Sequence, residues 1–145
     1  IETAVNNFYT EYGYMPKEGS GTPSFSTKES TGKDFLKVLL GAETSTNVLN
    51  TRGVKFLSVR EGKPRKGGGT NGLIYSGNIP DGLYDPWGGG YQVMLDLDYK
   101  EQIPLPSSVL NGGKTLNGRR VAAWSLGADG VSGTGGAKGD DVITW

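Results

Sequence analysis

The chain lacks cysteine and histidine altogether, in 145 residues. Without cysteine no disulfide holds the fold, and thiolate metal sites and cysteine nucleophiles are excluded. Without histidine the commonest general base and the commonest transition-metal ligand are gone. A nucleophile–base pair would have to come from Ser and Lys or from paired carboxylates. Net charge is absent as well: 15 Lys and Arg balance 15 Asp and Glu, which gives no support for a nucleic-acid or membrane-surface partner. No signal peptide is visible, and no apolar run approaches the ~20 residues of a membrane-spanning helix. What the chain has in excess is glycine, 25 residues against an ordinary share of about 7%, concentrated in loops. The length suits one domain spanning residues 1–145, with few long helices and much turn.

The first residues, IETAVNNFYTEYGYMP, place Ile1, Ala4, Val5, Phe8, Tyr9 and Tyr12 on one helical face. Gly13 and Pro16 stop the pattern cleanly. Nothing caps its start: the pattern opens at full stride on Ile1, which is not an initiator Met. Residues 1–14 therefore read as the C-terminal half of a longer helix whose upstream part is absent. A short amphipathic helix capped by a preceding tag is the alternative.

Lys17–Gly32 reads as a polar linker. KDFLKVLLGAE follows, with Phe35, Leu36, Leu39 and Leu40 on one face and Gly41 as its stop, which predicts a second short helix. Gly53–Val59 alternates well enough for a strand or extended segment. REGKPRKGGGTNG reads as a solvated surface loop carrying Arg60, Lys63, Arg65 and Lys66, with a basic patch binding an anion as the alternative; no Gly-Lys-Ser/Thr follows its glycines, so it is not a phosphate loop. Tyr91–Leu97 alternates as a period-2 strand, with Gln92, Met94, Asp96 and Asp98 on the other face. Asn117-Gly118 signals a hairpin turn, and Arg119–Gly127 reads as a strand buried at Val121 and Ala123 or at Ala122 and Trp124. Helices early and strands late predict an α+β fold, a small antiparallel sheet packed on the first helix.

Asp96 and Asp98 share a strand face and could form a carboxylate pair, but a solvent-facing strand edge explains them with less, since no other part of a glycosidase site is present. Asp85-Pro86-Trp87 reads as a turn, with Asp initiating and Pro fixing the backbone angle. Trp87, Trp124 and Trp145 are candidates for a sugar-stacking platform or, more simply, for packing. The late stretch SLGADGVSGTGGAKGDDVITW holds six glycines and Asp129, Asp140 and Asp141, opposed only by Lys138. Three carboxylates held close repel unless a cation sits between them. Every donor there is oxygen, the profile of a calcium site, and glycines let carbonyls turn inward. An EF-hand is excluded, because Val131 and Gly133 occupy positions that must carry ligands. A calcium loop and an exposed acidic turn both fit.

The succession YTEYGYMP (Tyr9–Pro16), DPWGGGY (Asp85–Tyr91), SLGADG (Ser125–Gly130), Asp140-Asp141 and Trp145 resembles the type IV pilin-like pseudopilins, in particular the major pseudopilins of the bacterial type II secretion system. The resemblance covers both ends and the middle; residues 17–80 share little with it. GGG stands where the family has Gly-Asn-Pro after the tryptophan, and the late loop is longer and richer in glycine. The resemblance implies a structural, non-enzymatic subunit of a pseudopilus. Its missing upstream helix would anchor it in the inner membrane and drive assembly with other pseudopilins or pilins into a helical filament, with the globular domain extracytoplasmic. It implies a bound Ca²⁺, held by the carbonyls of Leu126 and Val131 and the side chains of Asp129, Asp140 and Asp141. A type IV pilus subunit for adhesion or motility is the near alternative. A calcium-dependent carbohydrate-binding module and, more weakly, an Asp-based hydrolase are the alternatives from other classes.

Overall fold

A computed structural model of the chain describes residues 1–43, 48–66, 68–77, 79–105, 114–126 and 142–143. It is α+β. Helix α1 (Glu2–Tyr12) buries Ala4, Val5 and Phe8, the face expected from the spacing, and no side chain caps its start. Gly13 ends it in the left-handed conformation, φ 75°, its N–H donating to the Tyr9 carbonyl at 2.8 Å. Helix α2 (Ser30–Leu40) starts three residues before the expected KDF and ends on Gly41 at φ 67°. Its start is fixed by packing. A Cβ on Gly32 would lie 2.0 Å from the Ser26 carbonyl oxygen, so only glycine lets the helix come this close to the preceding strand.

That preceding strand corrects the linker expectation for residues 17–32. Strand β1 (Ser24–Ser26) pairs antiparallel with β6 (Gln92–Leu95), Phe25 opposite Val93. β6 pairs in turn with β9 (Val121–Ser125), Val93 opposite Ala123, and β9 with β10 (Val142–Ile143). The central sheet is thus β1-β6-β9-β10, antiparallel throughout. Among the described residues there are three two-stranded ribbons besides it. β2 (Lys63–Arg65) pairs with β3 (Gly68–Thr70), β4 (Gly72–Ser76) with β5 (Ile79–Tyr84), and β7 (Gln102–Pro104) with β8 (Thr115–Asn117). The β2–β3 ribbon replaces the surface loop expected around Arg60–Gly72. Gly53–Val59 forms no strand; it is an extended segment tied to α2 by the Phe56 and Leu57 N–H groups, both donating to the Leu39 carbonyl. The Asn117-Gly118 turn leads from β8 into β9 without joining hairpin partners, since β8 pairs with β7.

The main core lies between the helices and one face of the sheet: Val5 and Phe8 of α1, Phe35, Leu36 and Leu39 of α2, and Val93, Leu95 and Val121. Phe8 sits among Tyr12, Tyr14 and Phe56, with ring centroids 4.7–5.8 Å away. The other sheet face is also covered. Met94, Ala122 and Trp124 pack with Ile103 and Leu105 in a second, smaller cluster. Both faces of β9 are therefore buried, and the two alternative burial patterns expected for it are both realised.

This two-sided burial corrects the reading of Asp96 as a solvent-facing edge residue. Asp96 is 1% exposed, accepts the Glu101 N–H at 2.5 Å through Oδ2, and leaves Oδ1 without a partner among the described residues. Asp98 is exposed and accepts the Gly21 N–H. The two carboxylates serve different turns and do not form a pair. Among the described residues, no helix is long and apolar enough to cross a membrane.

Candidate functional site

β5 delivers the chain to Asp85, which is 1% exposed. Its backbone closes the turn: the Asp85 N–H donates to the Gly89 carbonyl at 2.8 Å, and the Asp85 carbonyl accepts from Gly88 and Asn71. Its carboxylate does the rest. Oδ1 accepts the N–H groups of Trp87 at 3.0 Å and Gly89 at 2.8 Å, and Oδ2 accepts the Ser125 hydroxyl at 2.7 Å. The bond from Ser125 satisfies a donor that would otherwise be costly to bury. The turn expected from Asp-Pro-Trp is present, and it is bolted to the last residue of β9.

The last of the three glycines after Trp87 has a packing role. A Cβ at Gly90 would meet Ser26 Oγ at 2.3 Å and the Lys28 nitrogen at 3.1 Å, so this position carries the close approach of the turn to the end of β1. Thr27 completes that junction. Fully buried, its hydroxyl donates to the Leu83 carbonyl at 2.6 Å and accepts the Tyr91 N–H at 2.9 Å, linking β5 to the entry of β6. Thr27 fell inside the stretch read as linker. Its only sequence signal is a β-branched residue directly after Ser-Phe-Ser, too short a run to declare a strand.

Tyr91 follows Gly90 and lines a cleft of about 570 Å³ with Ile1, Leu83, Tyr84, Pro86 and Trp124. Burial pushes the Tyr91 phenol up from its ordinary value; Asp85 adds to the rise and Arg60 opposes it. Glu2 and Arg60 also line the cleft, but both are engaged, Glu2 with Arg119 at 2.9 Å and Arg60 with the Asn71 carbonyl at 3.1 Å. Trp87 is 47% exposed on the turn while Trp124 is 4% exposed in the second core, so these two do not form one stacking platform. Trp145 lies outside the described residues.

Of the five expected calcium ligands, Leu126 is described, half-buried against the second core. Asp129, Val131, Asp140 and Asp141 lie outside the described residues. Among the described residues no group of acidic side chains is arranged to hold a metal. What is described is the frame: β10 returns antiparallel to β9 with Val142 opposite Ser125 and Ile143 opposite Trp124, so the two ends of the intervening segment are hydrogen-bonded side by side. Leu126 directly follows one member of that pair and Asp141 directly precedes the other. The donor set itself, three carboxylates and two carbonyls, is all oxygen and suits Ca²⁺.

Compared with protein-family models, with curated proteins and with solved structures, the chain matches none.

Proposed function

We propose that the chain is the extracytoplasmic globular part of a filament subunit of the pseudopilin or pilin kind, with a structural role rather than a catalytic one. The observation that carries this reading is the buried Ser125–Asp85 hydrogen bond. It joins two of the stretches on which the resemblance rests, DPWGGGY and SLGADG, which are 40 positions apart in the sequence, into one rigid unit. The third, YTEYGYMP, ends α1, and α1 packs against β9 in the main core. The motifs thus act as one scaffold that holds the base of the late loop.

In this reading the helix continues upstream of Ile1 into an apolar segment that anchors the subunit in the inner membrane and packs with further copies in a helical filament. Ca²⁺ is bound by the carbonyls of Leu126 and Val131 and the carboxylates of Asp129, Asp140 and Asp141. The chain's own contribution is to fix both ends of that loop through β9 and β10 and to brace Ser125 against the Asp85 turn. When bound, the ion neutralises carboxylates that would otherwise repel. Protein secretion is the favoured setting, with a surface pilus as the alternative within the same class. The coding sequence upstream of Ile1 tests the filament reading. A prepilin-type cleavage glycine followed by phenylalanine and an apolar run of ~20 residues supports it. A conventional cleaved signal peptide overturns it in favour of a secreted binding module.

A further inference from the structure

We infer that the Asp85 turn and the adjoining β2–β3 ribbon form a docking surface for an acidic, apolar-bearing segment of a partner protein. The inference does not depend on the filament reading. The first observation is Trp87. Its backbone N–H is held by Asp85, yet the residue is 47% exposed. A tryptophan on a held turn loses little backbone freedom on contact, and tryptophan is enriched among residues that dominate interfaces.

The second observation is charge. Residues 55–66 hold Lys55, Arg60, Lys63, Arg65 and Lys66 against Glu61 alone, a local excess of four positive charges in a chain of zero net charge. All six are exposed, and none of the five cations forms an ion pair among the described residues. Lys63 and Arg65 are two apart on β2 and so share one face of the ribbon. That face turns toward the tryptophan turn: the Arg65 guanidinium lies 3.7 Å from where a Cβ on Gly88 would stand. Arg65 thus lies against the turn that carries Trp87, and a guanidinium pairs bidentately with carboxylates.

The third observation is the cleft. It shares Pro86 of the same turn and Arg60 of the same basic run, and its walls of Leu83, Tyr84 and Trp124 can take an apolar side chain. Charge complementarity thus specifies carboxylates, and the cleft specifies an apolar anchor between them. A nucleic acid would use the cations and leave the apolar cleft unused.

The test uses a fluorescein-labelled peptide, Glu-Glu-Leu-Glu-Glu-Leu-Glu-Glu, as the probe, followed by anisotropy in low salt with the whole chain. Binding is expected, weakened about tenfold or more by Trp87→Ala and by Arg65→Glu, and lost in about 0.5 M salt and with the Gln-for-Glu peptide. Trp87→Ala keeps the backbone N–H that Asp85 holds, so its melting temperature should match that of the parent and loss of binding reports contact rather than unfolding. Equal binding by parent and both variants overturns the proposal, as does no binding at millimolar peptide. A single-stranded oligonucleotide that binds more tightly than the peptide overturns it in favour of a polyanion site. A dimer of the chain that Arg65→Glu dissolves overturns it in favour of a second copy as the occupant.

Discussion

The Ser125 hydroxyl and the Asp85 carboxylate meet at 2.7 Å with both residues almost wholly buried. One carboxylate oxygen serves this bond and the other holds the Trp87 and Gly89 N–H groups, so a single side chain ties a turn in the middle of the sequence to the end of the central strand.

Removing the carboxylate should therefore cost far more than removing the hydroxyl. Asp85→Ala takes the acceptor from one buried donor, the Ser125 hydroxyl, and from the part-buried N–H groups of Trp87 and Gly89, and is expected to destabilise by about 3 kcal/mol. Ser125→Ala removes one bond while the carboxylate keeps its two N–H donors, at about 1–2 kcal/mol. Urea denaturation of the two variants gives the comparison; equal losses would mean that the turn does not depend on Asp85.

Gly90→Ala is expected to destabilise by about 1–3 kcal/mol, because its methyl would collide with Ser26 Oγ and the Lys28 backbone. Gly13→Ala should be milder, about 1 kcal/mol, since nothing lies within 4 Å and only the left-handed backbone objects. A melt in which the two variants rank the other way would show that Gly90 is not packed against the β1 end.

High pH should weaken the fold through Tyr91. The folded state holds the phenol proton more tightly than the unfolded chain does, mainly because the side chain is partly buried. Stability is then at its full value below about pH 10, where an unfolded tyrosine starts to ionise, and falls as pH rises through the raised folded value. Tyr91→Phe should flatten part of that decline; a parent and a variant with identical pH profiles above 10 would remove Tyr91 from the account.

Phe8 anchors the aromatic cluster of Tyr12, Tyr14 and Phe56 and is fully buried. Phe8→Ala should cost about 3–5 kcal/mol. A loss under 1 kcal/mol would mean that α1 is not seated on the sheet as described.

What the sequence made legible were the elements that declare themselves locally. α1 and α2 carry a full helical stripe and end on glycines that adopt the left-handed conformation. β6 and β9 and the Asp85 turn were also readable. β1 was not, because three residues with one apolar side chain make no period; the pairing of Phe25 with Val93 creates the strand. β2 and β3 are lysine, proline, arginine, two glycines and a threonine, and they pack against the neighbouring β4–β5 ribbon. Asp96 was misread because alternation assumes one wet face, and here the β7–β8 ribbon and the second core cover it. Of the site, the sequence shows Asp85 as a turn residue but not its bond to Ser125, since a contact across 40 positions leaves no local trace. Thr27 was missed for the same reason.

The most direct test of the proposed calcium-binding filament subunit is a thermal melt of the chain in EDTA and in about 5 mM Ca²⁺, with Asp129→Ala alongside. If the native state alone binds the ion, calcium at 100 times its dissociation constant adds about 2.7 kcal/mol, on the order of 5–10 °C in melting temperature for a domain of this size. Asp129→Ala should abolish the shift, and Mg²⁺ should substitute poorly because it demands a tighter octahedron. Coincident curves for the parent chain in EDTA and in calcium would contradict the account and leave Asp129, Asp140 and Asp141 as an exposed acidic turn.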